Sequence, residues 1–196
     1  MPNADCHCRK RSMPGEEPAC GDAGLIVADE AACFVALLDV LGHGPEAADV
    51  AGVAEAYLAG HCREPLTELM QGLHERLKGS RGLVAFLGRF ELATGLFRYV
   101  GIGNIAARVY GPDDPVSLVS KDGVVGYMMS TPREKSVQLL PRDILVLCSD
   151  GVREHFDLYD HPGLLSGDAA AISGAVLDQL TKGVDDASCL VLRCLK

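Results

Sequence analysis

The stretch DAGLIVADEAACFVALLDVLGHGPE, residues 22–46, decides the fold. Gly24 to Ala28 and Cys33 to Leu38 are short β-prone runs parted by Asp29-Glu30, which reads as a hairpin or two adjacent antiparallel strands. Asp39 ends the second run. From Pro45 the apolar spacing changes to the helical period, with Val50, Val53, Ala54, Tyr57 and Leu58 on one face and proline in the first turn, where it is tolerated. The spacing predicts a helix to about Gly60. A second helix from Pro65 puts Leu66, Leu69, Met70, Leu73 and Leu77 on one stripe and stops at Gly79. The short His61 to Glu64 link makes the two helices antiparallel neighbours.

Downstream, Leu83 to Glu91, Gly95 to Gly101, Ile105 to Tyr110 and Ser136 to Leu140 are strand-like and joined by turn residues, with no helix between them. Asp143 to Cys148 is a further buried strand, Asp168 to Lys182 a third helix with Ile172, Ala175, Val176 and Leu180 inward, and Ala187 to Arg193 the last strand. Strands in clusters and helices in clusters argue an α+β layered domain of mainly antiparallel sheets covered by helices. No internal repeat or linker interrupts residues 1–196, which read as a single domain.

Composition narrows the function. Hydrophobic residues make up 48% of the chain, enough to fill a core and exclude intrinsic disorder. With 18 Lys+Arg against 27 Asp+Glu the net charge is -9, so no nucleic-acid partner is expected; Arg9-Lys10-Arg11 is a local basic patch and little else. The longest apolar run, Ala31 to Leu38, is far short of the roughly 20 residues that span a bilayer, and no apolar segment follows the charges of the N-terminal stretch. A cytoplasmic protein with no membrane association is expected. Cys33, Cys148, Cys189 and Cys194 lie in or beside strand-like runs and read as buried thiols. Cys6-His7-Cys8 with Cys20 is a zinc candidate, although Cys-x-Cys lacks the usual two-residue spacer.

Acidic residues mark the strand ends. Asp22 precedes a strand, Asp39 and Asp150 end strands, and Asp185-Asp186 precede the last. In antiparallel neighbours the end of one strand lies beside the start of the next, so these acids can meet on one edge. Any single one, such as Asp150 before Gly151, also reads as an ordinary turn residue. Together they predict a carboxylate cluster, which persists mainly by binding hard divalent cations such as Mg²⁺ or Mn²⁺. The small residues of Asp39-Val40-Leu41-Gly42-His43-Gly44 let backbone carbonyls approach a metal.

In order and in residue type, Gly21-Asp22, Asp39-Val40-Leu41-Gly42-His43-Gly44, Ser149-Asp150-Gly151-Val152 and Asp185-Asp186-Ala187-Ser188 resemble the motifs of metal-dependent type 2C serine/threonine phosphatases, specifically the SpoIIE-like branch. Gly101-Ile102-Gly103-Asn104 and Gly123-Val124-Val125-Gly126 resemble two further segments of that family. The resemblance implies a four-layer α/β/β/α sandwich, two Mn²⁺ or Mg²⁺ ions, and a hydroxide bridging them that attacks phosphoserine or phosphothreonine. By position Asp39 would bridge both ions, the Val40 carbonyl would ligate one, Asp22 and Asp150 would complete the pair, and Asp185 would take the last-motif role. Asp39 and Asp150 are thus the catalytic candidates, with Asp186 and His43 behind them. The larger eukaryotic members carry a histidine where this chain has Leu41, so leaving-group protonation is unassigned and His43 reads either as a supporting or as a turn residue. The family's N-terminal phosphate-binding arginine has only Arg9 or Arg11 as candidates.

Two rival motifs fail. Cys148 to Arg153 has the wrong spacing for a thiol-phosphatase loop and holds an acid inside the cradle, and Gly101 to Ala106 leads into a strand where a dinucleotide fingerprint needs a helix. The chain's size further resembles the RsbX-type feedback phosphatases of the bacterial stressosome, which implies phosphorylated STAS-domain partners (RsbS- and RsbR-like) and a role in resetting a stress response. A partner-switching phosphatase acting on an anti-anti-sigma factor and a degenerate phosphoprotein-binding module are the alternatives.

Overall fold

The computed structural model describes residues 4–153, 158–165 and 167–195. Residues 1–3 of the N-terminal stretch read for a leader lie outside the described residues. In chain order the elements are β1 (Ala4–Arg11), β2 (Asp22–Ala28), β3 (Ala32–Val40), α1 (Pro45–His61), α2 (Leu66–Leu77), β4 (Leu83–Glu91) and β5 (Leu96–Ile102). They continue with β6 (Ala106–Tyr110), β7 (Val116–Ser117), β8 (Lys135–Gln138), β9 (Ile144–Cys148), α3 (Pro162–Leu165), α4 (Ala169–Leu180) and β10 (Ala187–Cys194).

The strands form two five-stranded sheets, β2-β3-β4-β5-β8 and β1-β10-β9-β6-β7, with every ladder antiparallel. The alternation along β3 explains the layering. Phe34, Ala36 and Leu38 face α1 and α2, where Leu58, Leu69, Met70 and Leu73 are buried. Cys33, Val35 and Leu37 face the other sheet and meet Phe86, Phe97, Leu145, Leu147, Leu190 and Leu192. A strand covered on both sides has no polar face, which is why its sequence is a continuous apolar run. On the outer face of the second sheet, Ile172, Val176 and Leu180 of α4 pack on Val146, Cys148, Cys189 and Val191. The result is the expected α/β/β/α sandwich.

Three expectations need correction. The buried face of α1 is Ala47, Ala51, Ala54 and Leu58, and Val53 is turned outward. Alanines let the helix axis approach the sheet closely: a Cβ added to Gly21 would press on that of Ala47. Second, Ala4–Arg11, to which the sequence reading assigns no element, is a full edge strand paired along its length with β10, from Ala4 opposite Cys194 to Arg11 opposite Ala187. Third, that strand dismantles the zinc candidate. Successive side chains alternate, so Cys6 lies 3.5 Å from the Cys33 thiol while His7 bonds Ser173 of α4 on the opposite face at 2.8 Å. Ala175 of α4 is only half-buried.

Candidate functional site

Register creates the site. Asp22, the first residue of β2, is the cross-strand partner of Asp39 near the end of β3. In the second sheet Cys148 is paired with Cys189, so the residues just beyond β9 lie beside those just before and within β10. There the Ser149 amide donates to the Ser188 carbonyl at 3.2 Å, and the Ser188 amide donates to Ser149 Oγ at 2.8 Å. Ser149 Oγ then donates across the sandwich to Asp22 Oδ2 at 2.6 Å. One buried hydroxyl therefore joins the two sheets at the edge where the acids gather.

The electrostatics are those of crowded carboxylates. Asp22 is 1% exposed. Burial pushes its carboxyl up to about 7; hydroxyls of Ser149 and Ser188 oppose the shift, and the charges of Asp186 and Asp150 add to it. Asp39 is pushed up to about 8, first by burial, then by the charges of Asp22 and Asp150, against a hydrogen bond from the Asp150 amide. Asp185 also contributes to that rise. Asp150 accepts from Asn104 Nδ2 at 3.2 Å, and Asp185 accepts the Asp186 amide at 2.8 Å.

Asp22, Asp150 and Asp185 thus lie within electrostatic reach of Asp39 at one edge. They do not converge into a finished cage: among the described residues no group of three or more His, Cys, Asp or Glu side chains could hold an ion as placed. Neutral donors from Ser149 and Asn104 answer part of their charge. The donor chemistry nevertheless fits a hard divalent cation, because the groups are oxygen ligands, and burial disfavours the ionised state of Asp22 and Asp39 until positive charge arrives.

The adjacent acids divide their work. Asp186 is 4% exposed and accepts the amides of Met13 at 2.7 Å and Gly21 at 2.6 Å, so it tethers the β1–β2 connection. Val40 is the last, buried residue of β3, and Leu41 turns outward. Beyond it Gly42 and Gly44 have φ of 81° and 82°, which glycine adopts without strain. Arg81 closes this loop, donating to the Leu41 carbonyl at 3.4 Å and to Glu46 at 2.6 Å.

His43 is exposed and stands 2.8 Å from Glu16; the hydrogen bond and the charge of that carboxylate raise its pKa. Sequence reasoning missed Glu16 and Arg81, and it placed Asn104, Ser149 and Ser188 within motifs without giving them a role. A small hydroxyl residue next to Asp150, and another two residues after Asp186, was the available signal for Ser149 and Ser188. Glu16 and Arg81 have none, because their partners come from distant segments. Arg9 and Arg11 do not reach the edge: Arg11 binds the Leu177 carbonyl and Asp178, and the Arg9 guanidinium lies over Gly174, all on α4. Cys148 is a buried strand residue, and Gly103, with φ 95°, makes the β5–β6 turn.

The family model of SpoIIE, "Stage II sporulation protein E", matches residues 29–194. Among curated proteins no sequence matches. A chain solved in work on "The bacterial stressosome: a modular system that has been adapted to control secondary messenger signaling" is 28% identical, covering 97% of this chain and 99% of that one, with a TM-score of 0.88. RsbX, crystallised "in complex with magnesium", is 18% identical over 97% of this chain and 94% of its own, at a TM-score of 0.84. The phosphatase domain of SpoIIE from Bacillus subtilis, solved with a fragment of its regulatory domain, is 16% identical over 97% of this chain and 63% of that one, at 0.77.

Proposed function

The chain belongs to the SpoIIE family, and from that premise we propose that it is a metal-dependent phosphatase of phosphoserine and phosphothreonine in proteins. The observation that carries the reading is the pairing of Asp22 with Asp39, their carboxyls pushed up to about 7 and about 8, beside Asp150 and Asp185. So costly a cluster is retained where cations use it. Asp39 would lie between two ions, with the Val40 carbonyl, Asp22, Asp150 and Asp185 completing the ligands, and Mg²⁺ or Mn²⁺ fits these oxygens. When bound, such ions supply activated water and neutralise the phosphoryl oxygens. The chain's own residues hold the ligands: Ser149 fixes Asp22, and Asn104 orients Asp150.

Residues 1–196 are read as one phosphatase domain, since β1 closes onto β10. Likeness to the stressosome chain supports phosphorylated STAS-domain proteins as substrates and the resetting of a stress response as the role. No helix among the described residues is long and apolar enough to cross a membrane, and the eight cysteines are free thiols, which suits a reducing cytoplasm. The open arrangement of the carboxylates favours one second reading, a module that holds phosphoproteins without cleaving them.

Hydrolysis of p-nitrophenyl phosphate decides between them. Turnover should require Mn²⁺ or Mg²⁺, stop with EDTA and survive iodoacetamide, because Cys148 is buried and water is the nucleophile. No turnover with either ion, or loss on alkylation with metal still bound, would overturn the proposal. An intact phosphorylated STAS protein should be cleaved faster than a short phosphopeptide from it; equal rates would remove the docking requirement.

A further inference from the structure

The acidic edge poses a problem for its own substrate. A phosphorylated side chain brings a charge of about −1.5 to −2, and Asp22, Asp39, Asp150 and Asp185 all oppose it. Bound cations answer part of that repulsion, and a side-chain cation facing the same space would answer more.

The basic residues nearby are mostly committed. Arg11 is held on α4, Arg81 is pinned between the Leu41 carbonyl and Glu46, and Lys10 Nζ lies 3.3 Å from the Asp22 carbonyl. Arg153 is different. It lines a cleft of about 230 Å³ together with Asn104, Ala106, Ser149 and Asp150. The residue is exposed, and its guanidinium has no hydrogen bond or ion pair among the described residues. Its backbone is fixed: the Arg153 amide donates to the Leu180 carbonyl at 2.9 Å, and the preceding Val152 is buried and bridged to Thr181. Among the described residues the guanidinium thus has no partner, its backbone is held at two points, and it lines the same cleft as Asp150.

We propose that this cleft seats the substrate's phosphoryl group and that Arg153 grips its oxygens. The inference rests on the phosphatase reading above and adds the group that recognises the anion. Several features suit that role. The cleft is wide enough for a phosphoryl group with a few waters, at roughly 30 Å³ for each water. A planar guanidinium meets two phosphoryl oxygens at once, which an ammonium cannot do. Ala106 and Val152 contribute apolar wall, which excludes water and strengthens the contact. Asn104 donates to Asp150 and so offsets part of the negative charge that the incoming anion meets.

Two readouts test this. Calorimetric titration of inorganic phosphate into the Mg²⁺-loaded protein measures the grip directly, and KM against kcat on a phosphoserine protein measures its use. Arg153→Ala should weaken phosphate binding and raise KM by roughly 10- to 100-fold, the loss expected for a charge-assisted pair, with Mg²⁺ affinity unchanged. Arg153→Lys should recover part of the loss, and Arg11→Ala, which alters only the α4 contact, should match the parent. Arg153→Gln keeps most of the stem and repeats the test if the alanine variant folds poorly. Unchanged phosphate affinity in both Arg153→Ala and Arg153→Gln would overturn the inference while leaving the phosphatase reading intact. A parent that binds phosphate through Arg153 but turns over no ester would sustain the grip and sink the phosphatase.

Discussion

Replacing Asp39 by asparagine should make the metal-free protein more stable while ending its activity. In the unfolded chain this carboxyl titrates at its ordinary value of 3.8, and in the folded protein it is pushed up to about 8. The folded state therefore holds a proton that the unfolded state has released, throughout the interval between those values. More protons on the native side means that stability falls as pH rises, by about 1.4 kcal/mol per unit, from the unfolded pKa to the folded one. By pH 7 the accumulated cost is ~4 kcal/mol. Asparagine carries none of it, and its side-chain oxygen can still accept the Asp150 amide. Asp39 is only half-buried, so water reaching it makes that figure a ceiling.

For a domain of this size each kcal/mol moves the melting temperature by about 2–4 °C. The variant should then melt several degrees above the parent at pH 7 in EDTA. The gap should widen toward pH 8 and close below about pH 4, where the parent carboxyl is neutral in both states. Added Mg²⁺ at 100 times its dissociation constant should lift the parent by about 2.7 kcal/mol and the variant far less. Parallel melting curves for the two proteins from pH 4 to 9, or an equal lift by Mg²⁺, would refute the placement of Asp39 in a strained acidic cluster.

Other expectations follow from the same edge. Asp186→Ala strips the acceptor from the buried amides of Met13 and Gly21; it should cost about 2–4 kcal/mol in urea denaturation and speed tryptic cleavage at Arg11, with Asp186→Asn in between. Unaltered cleavage would show that the β1–β2 connection is held elsewhere. Gly151→Ala drives a Cβ into the backbone carbonyl of Asp186, so it should destabilise by about 3 kcal/mol and depress turnover together; a variant as stable as the parent would mean that the strands can part there at no cost.

Which parts of this protein can be read from residues alone follows from how local their causes are. β2, β3 and β4 are legible because two-sided burial writes itself as apolar runs, and the acids at strand ends because register is a short-range matter. β1 is not legible: Cys-His-Cys-Arg-Lys-Arg has a polar outward side, and its partner is β10, near the other end of the sequence. The α1 face is misread at one position because Val53 outranks alanine in hydrophobicity, whereas close packing on the sheet selects the smaller Ala47 and Ala51. Asp185 and Asp186 cannot be told apart in sequence; only the amides of Met13 and Gly21, from a distant loop, claim one of them. The contact of Asn104 with Asp150 likewise exists only once two strands from separate hairpins lie side by side.

The two sheets also differ in when they can form. The first pairs β2, β3, β4 and β5 in chain order, with short turns except between β3 and β4, where the connection is α1 and α2, which cover the same sheet. The second is completed only when β10 slides between β1 and β9, joining residues as remote as Ala4 and Cys194. Long-range closure of that kind is slow. During synthesis the inner face of the first sheet, with Val35, Leu37 and Phe86, waits uncovered for its partner. Asp22 and Asp39 come from the early half and Asp150 and Asp185 from the late one, so the acids are gathered in the final step of assembly. Cations bound there would therefore act after the folding barrier, and their effect would fall chiefly on the rate of unfolding.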